Sequence, residues 1–293
     1  MTEYRSKNER AEGLAELLEK SDDYRVLRRV PTHYASMPDT GAPEGRCLAL
    51  IDLETSGLDP DQDKIIELAL MLVWIDEHAN VVGHFGPLSW QEDPLVELAP
   101  EIVMLTGLSN QVLVGKRIED ANVMGLLSRA ELLVAHNARF EIAWLERRYE
   151  DLREAPWACS MKDIDWLKAG CDGRSQQHLL SQHGWFSNAH RAGDDVWSLF
   201  ILLQQQRAGW EPQSRSHLAR LIEGADRTTM RIEAVGAPIR KKDLLKRRGY
   251  RWNGSVWWKE IELPLVAHEQ AWFFRNGLPA PELTTVTAQE RHR

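Results

Sequence analysis

Apolar positions gather into three early runs, CLALIDLE from Cys47, KIIELALMLVWID from Lys64 and VVGHFGPLSW from Val81, separated by the turn-rich TSGLDPDQD and by EHAN. Short apolar runs bounded by turn residues read as buried strands, and three of them joined by short turns predict a meander. Further along the period lengthens. RIEDANVMGLLSRA reads as a helix, ELLVAH as a short strand and ARFEIAWLERRYE as a helix; an apolar patch surrounds WACSMKDI, and SQQHLLSQHG and AGDDVWSLFILLQQQR are again helical. Strands first and alternation with helices afterwards predict an α/β domain over residues 46–206, a mixed sheet with helices packed on it.

The flanks have a different texture. Residues 1–45 contain one helical stretch, ERAEGLAELLEK, and then the Pro- and Gly-rich PTHYASMPDTGAPEG, so they are expected to form a helical extension and a linker. RAGWEPQSRSH opens an exit linker placed at 207–225. Residues 226–293 then read as a small α+β module and tail, with strand TMRIEAVG, helix RKKDLLKRRG, and strands YRWNG and VWWKEI. No internal repeat or low-complexity tract is present.

Composition narrows the function classes. With 36 Lys+Arg against 44 Asp+Glu the net charge is -8, so the chain does not bind nucleic acid by bulk charge and any such contact is local. Cys47, Cys159 and Cys171 have no CxxC spacing and are odd in number, suggesting neither a disulfide framework nor a zinc site. The charged N-terminus and the lack of eighteen consecutive uncharged apolar residues predict no signal peptide and no membrane span. A reducing cytoplasm is the expected location.

Candidate chemistry centres on carboxylates. Asp52 and Glu54, two apart at the end of the most apolar strand, point to the same face, where their repulsion calls for a cation. Hard oxygen donors of this kind suit Mg²⁺ or Mn²⁺. Glu141 lies on the helix that follows ELLVAH, a strand that also delivers His136 and Asn137 to the same edge of the sheet. His190 stands at a helix start, and Asp194 and Asp195 compete for the role of the carboxylate just before the apolar VWSLFILL. Each feature alone has an ordinary structural explanation.

In order, DLETSGL, HNARFE and HRAGDD resemble the three motifs of the DEDDh family of 3′-5′ exonucleases, which includes the epsilon proofreading subunit of bacterial DNA polymerase III, ribonuclease T and oligoribonuclease. Asp52, Glu54 and Thr55 match the first motif. His136, Asn137, Ala138 and Phe140 match the second, which departs from the family at Glu141, where an Asp is usual. His190, Ala192 and Asp195 match the third and select Asp195 over Asp194. The connecting KIIELALMLV and LTGLSNQVLVGKRIED resemble the epsilon-type branch, and the likeness covers about residues 46–206.

The resemblance implies a ribonuclease H-like fold and two Mg²⁺ or Mn²⁺ ions. Asp52 would bridge them, with Glu54 and Asp195 helping at one ion and Glu141 at the other. His190 would be a general base on a mobile loop, a task suited to a side chain that titrates near neutrality. Thr55 and Leu58 would meet the 3′-terminal nucleotide. Phe140 would pack on its sugar or base or else belong to the core, and Asn137 would orient the second motif. Glutamate keeps the charge and donors of aspartate and adds about 1.5 Å of reach.

From Arg231 to Lys259 nine Lys or Arg face only Glu233 and Asp243, a local charge of +7. Lys241, Lys242, Arg247 and Arg248 alternate there with Trp252 and Trp257, a combination that grips single strands by phosphate pairing and base stacking. The same aromatic residues are also needed for the core of so small a unit. The expected function is 3′-5′ hydrolysis of single-stranded DNA ends, releasing nucleoside 5′-monophosphates. An exoribonuclease sharing these motifs, and an inactive nucleic-acid-binding module in which Glu141 signals decay, are the alternatives. The N-terminal GLAELLEK could serve as a handle for a polymerase or another replication protein, or as a packing strap.

Overall fold

The computed structural model describes residues 2–31, 41–207 and 215–293. Helix α1 spans Thr2–Leu18 and strand β1 Arg28–Arg29; β2 (Arg46–Thr55), β3 (Ile65–Ile75) and β4 (Val81–Gln91) follow as the expected meander. Helices α2 (Pro100–Thr106), α3 (Asn110–Leu113) and α4 (Asp120–Leu127) lead to β5 (Leu132–Ala135), α5 (Ala138–Arg148), β6 (Trp157–Cys159), α6 (Ser160–Asp163) and α7 (Gln176–Gln182). Strand β7 (Trp185–Phe186) precedes α8 (Ala192–Gln204) and α9 (His217–Asp226). The C-terminal part contains β8 (Thr229–Glu233), α10 (Lys242–Arg247), β9 (Arg251–Trp252), β10 (Trp257–Glu262), α11 (Val266–Arg275) and β11 (Glu282–Val286).

The main sheet has the order β4-β3-β2-β5-β6, antiparallel through the meander and parallel from β2 to β6. This is a ribonuclease H-like mixed sheet with helices on both faces. Alternation along β2 separates two cores. Leu48 and Leu50 pack with Met71, Val73 and the α8 residues Val196, Leu199 and Leu203; Ala49, Ile51 and Leu53 pack with Val123 of α4 and Ile142 and Leu145 of α5. All eleven residues of β3 are buried, as a central strand covered on both faces requires. Each large aliphatic side chain fully buried there contributes about 1.5–3 kcal/mol.

Two expected linkers differ from the structure. Within 207–225 the described residues from His217 onward form α9, whose Leu218, Leu221 and Ala225 join the core beneath α8. The pattern was masked by the polar stretch before it, while an N-cap bond from Ala219 N to Ser216 Oγ starts the helix. In the N-terminal extension, β1 pairs in parallel with β7 and Val30 enters the core, so part of 1–45 is strapped to the domain. Residues 32–40 of the expected linker lie outside the described residues.

The C-terminal module is a sheet of order β11-β8-β10-β9. Ile232, Leu245, Tyr250 and Phe273 form its core between one sheet face and helices α10 and α11. Its last residues return to the main domain: Trp157 N donates to Ala288 O at 2.9 Å, and His292 Nε2 lies 2.8 Å from Asp163 Oδ2. Among the described residues no helix is long and apolar enough to cross a membrane.

Candidate active site

Asp52 and Glu54 continue the face of β2 that Leu48 and Leu50 bury against α8. That helix therefore starts over them, and carboxylate oxygens of Asp52, Glu54 and Asp195 lie within 4.8 Å of one another. Such close like charges in a poorly hydrated place favour the protonated forms. Burial, then repulsion from Glu141, Asp195, Glu54 and Glu67, raises Asp52 well above the usual carboxylate range. Burial with repulsion from Asp195 and Glu67 pushes Glu54 up to about 8, against the opposing pull of Arg191.

Glu141 reaches the same place from the opposite helical layer. Strand β5 runs parallel beside β2, with Leu50 level with Val134, so the chain leaves β5 next to Asp52 and turns at once into α5. Glu141, in the first turn of α5, is buried, its Oε2 has no hydrogen-bond partner, and burial pushes its carboxyl up to about 8. Three clustered carboxylates, with a buried and orphaned carboxylate oxygen beside Asp52, make the kind of donor set that suits a hard divalent cation. Asp52, Glu54 and Asp195 thus fit such ions, and Glu141 stands outside their 4.8 Å group but close enough to Asp52 to raise its carboxyl.

His190 sits on the turn before α8, exposed and with φ 67, a conformation that a non-Gly residue adopts only when its surroundings hold it there. Asp195 Oδ2 accepts from His190 N at 2.7 Å and from Arg191 N at 3.2 Å. Burial pushes Asp195 up to about 6, although these two backbone donors pull it down. A fifth acid is involved. Glu67, opposite Glu54 on β3 and 1% exposed, accepts from Arg191 Nε, Arg191 Nη2, Ala192 N and Gln91 Nε2. Burial favours its protonation, but these bonds outweigh burial and hold the carboxyl below its usual range. Sequence reasoning passed over Glu67; the available signal was a lone acid inside the apolar run IIELALMLVWI, which needs a buried cationic partner.

The other expected substrate residues lie around this edge. Thr55 is buried, with Oγ1 donating to Gly57 O at 2.5 Å, so its hydroxyl shapes the turn. Leu58 is 86% exposed at the tip of that turn. Asn137 is exposed at the N-cap of α5, and Phe140 is partly buried against Trp144 and the core. His136 is tied back by Ser160 Oγ and by Arg174 O, each at 2.8 Å.

The model of the family described as exonuclease (RNase_T) matches residues 49–200, which hold all five of Asp52, Glu54, Glu141, His190 and Asp195. The chain belongs to the exonuclease family. Among its relatives, this exonuclease-family chain is 28% identical over 132 residues to DNA polymerase III PolC-type of Thermotoga petrophila, covering 44% of this chain and 8% of that polymerase. It is 26% identical over 154 residues to DNA polymerase III subunit epsilon of Treponema pallidum, covering 50% of this chain and 69% of that subunit. The chain thus spans less than a tenth of the PolC-type relatives. Similar solved structures include exonuclease X in complex with 5′ overhanging duplex DNA (22% identity, 60% of this chain and 90% of that one, TM-score 0.40). Another is E. coli exonuclease I with a dA16 oligonucleotide (14% identity, 84% and 66%, TM-score 0.45).

Away from this centre, the structure gathers Cys171, His183 and His217, with ligand-type atoms within 4.8 Å. Sequence spacing gave no hint of this cluster because its members come from a loop, the end of α7 and the start of α9. The two Nε2 atoms are 2.9 Å apart, and Arg207 Nη1 stands 3.8 Å from Cys171 Sγ, a cation already beside the thiol. Burial, chiefly, holds both imidazoles neutral, His183 down to about 4 and His217 down to about 3. In the C-terminal module, Lys242, Arg247 and Arg248 are exposed along α10 and its end, Lys241 is half-buried, and Trp257 packs with the module core. Arg248 is engaged by Glu269 at 2.9 Å, and Trp252 is 53% exposed.

Proposed function

We propose that this protein is a 3′-5′ exonuclease that hydrolyses single-stranded DNA ends and releases nucleoside 5′-monophosphates, using two Mg²⁺ or Mn²⁺ ions. The observation that carries the reading is the convergence of Asp52 and Glu54, at the end of β2, with Asp195, at the start of α8, and beside Asp52 the buried, unpartnered carboxylate oxygen of Glu141 at the start of α5. When bound, the ions would neutralise the phosphate and the leaving oxygen and lower the barrier to attack by water. Asp52, Glu54, Glu141 and Asp195 would hold them.

The remaining work falls to this chain's own side chains. His190, at the exposed rim, accepts a proton from the attacking water at an imidazole nitrogen. Asp195 and Glu67 hold the backbone on either side of that imidazole, through His190 N, Arg191 N and Ala192 N, so the base is positioned before substrate arrives. The Thr55–Leu58 turn offers the terminal nucleotide an apolar edge in Leu58, while Phe140 and Asn137 border the second-motif side. The preference for DNA rests on the relatives that are parts of DNA polymerases and on flanks unlike those of a bare oligoribonuclease.

The test is the release of nucleoside 5′-monophosphates from matched DNA and RNA oligonucleotides labelled at either end, with Mg²⁺ or Mn²⁺ and with Asp52→Ala as control. DNA degraded stepwise from the 3′ end by the native protein only is the expected result. Preferential RNA trimming would make it an exoribonuclease, and binding without release would make it a nucleic-acid-binding module.

A further inference from the structure

A groove of about 1060 Å³ separates the nuclease domain from the C-terminal module. One wall carries Arg139, Lys162 and Arg174; the other is the open face of the module's sheet, with Arg231, Arg251 and Trp258. Strand register explains the second wall. Trp258 lies opposite Arg251 on β9, and Glu260 opposite Arg231 on β8, so these side chains share the face turned away from α10 and α11.

The charges in this groove are unevenly satisfied. Its carboxylates are taken: Asp163 by His292 at 2.8 Å, Glu260 by Arg291 at 3.2 Å and Glu262 by Arg227 at 2.8 Å. Among the described residues, Arg139, Lys162, Arg174, Arg231 and Arg251 have no salt bridge to an acid. Arg231 stacks over the Trp258 ring, 5.0 Å from its centroid, and its buried Nε has no acceptor. A guanidinium N–H buried without an acceptor costs free energy that an incoming anion recovers.

The groove lies next to the second motif. Arg139 is two residues before Glu141 on α5, and the carbonyl of Arg174 is bound to His136 of the second motif. Unpaired cations on two facing walls, with an indole between two of them, match the phosphates and bases of a single strand.

We propose that this groove is the track for the single-stranded nucleic acid upstream of the scissile end, gripped by the sheet face of the C-terminal module. The contacts are Arg231, Arg251 and Trp258 together with Arg139 and Arg174; the Lys241, Lys242 and Arg247 side of α10 points elsewhere. This deepens the exonuclease reading and rests on it for the direction of the strand, while the groove's occupancy can be measured separately.

The test uses full-length protein and 5′-fluorescein oligothymidylates of 4 and 20 nucleotides, read by anisotropy without divalent cations. R231Q/R251Q is expected to weaken binding of the 20-mer about tenfold and to lower its salt slope by about 1.4, at roughly 0.7 per phosphate neutralised. W258L is expected to weaken it about tenfold through lost stacking. R231K/R251K, which keeps both charges, retains most of the salt slope, and thermal melting of each variant checks that the module is folded. Unchanged 20-mer affinity in R231Q/R251Q and W258L, loss in K241Q/K242Q instead, or tighter binding of a blunt 20-base-pair duplex than of the 20-mer would each overturn the proposal. Hydrolysis of thymidine 5′-(4-nitrophenyl phosphate) with Mn²⁺ reads the nuclease centre alone. Its absence in the native protein would sink the exonuclease reading and leave the anisotropy result to decide the groove.

Discussion

Arg191 closes on Glu67 across 124 positions of sequence, with Nη2 2.9 Å from Oε1 and Nε 3.1 Å from Oε2. The same carboxylate accepts the N–H of Ala192, so the third strand of the chain clamps the first turn of α8 just after His190. Small displacements of a catalytic group cost orders of magnitude in rate. On the proposed activity, Glu67→Gln is expected to lower kcat about tenfold to a hundredfold with KM within about twofold. Arg191→Ala leaves Glu67 buried without its cation. It should destabilise the fold by about 2 kcal/mol, less than a fully buried pair because Arg191 is partly exposed. Steady-state kinetics and chemical denaturation check the two.

Glu141 has opposite effects on activity and on metal-free stability. Replacing it by Gln removes a buried carboxyl that the folded chain must keep protonated at neutral pH while the unfolded chain ionises it, so Glu141→Gln is expected to melt higher than the native protein when divalent ions are absent. The same change removes a cation ligand, and nuclease activity should fall about a hundredfold at saturating Mn²⁺. Glu141→Asp should keep activity within about tenfold. Equal activity of native protein and Glu141→Gln at every metal concentration would make Glu141 a bystander.

Stability of the metal-free protein should decline as pH rises from 7 to 9. Glu54 and Glu141, raised to about 8 in the folded chain, hold protons there that the unfolded chain has lost near 4.5. With more protons bound in the folded state, stability falls as pH climbs through the folded values. The depressed histidines, His183 and His217, titrate below this window and do not contribute to the slope. Divalent cations replace those protons, so the gain in Tm on adding Mn²⁺ should grow with pH by several degrees, at about 2–4 °C per kcal/mol. Calorimetry at pH 7, 8 and 9, with and without Mn²⁺, gives the answer.

The C-terminal tail is expected to hold the two domains together. His292 and Asp163 are both buried where they meet, and Arg293 reaches the carbonyls of Leu152 and Ala155. Ending the chain after Val286 removes these bonds and the Ala288 carbonyl that caps the edge of β6 at Trp157. Unfolding should then separate into two transitions, and 20-mer affinity should drop about tenfold because the groove loses its fixed width. A single cooperative transition with native affinity would show that the tail is dispensable. His292→Ala should produce a smaller loss in the same direction.

Local pattern was enough for the exonuclease frame of this protein. Period-2 and period-3.6 runs marked the meander and the helices because each element buries one face or stripe of its own residues. Three motifs marked Asp52, Glu54, Glu141, His190 and Asp195 because their spacing is tied to strand ends and helix starts. Tertiary structure alone decided which charges are compensated. Glu67 acquires its meaning only when β3 lies under the start of α8, and Glu141 comes close enough to Asp52 to raise its carboxyl only once β5 runs beside β2. Likewise, the basic run at 231–259 showed the charge of the C-terminal module but not its direction. Strand register and the returning tail put Arg231, Arg251 and Trp258 in the groove and leave Lys241 and Lys242 on the other side. Pairing partners far apart in sequence are set by packing, and no local pattern encodes them.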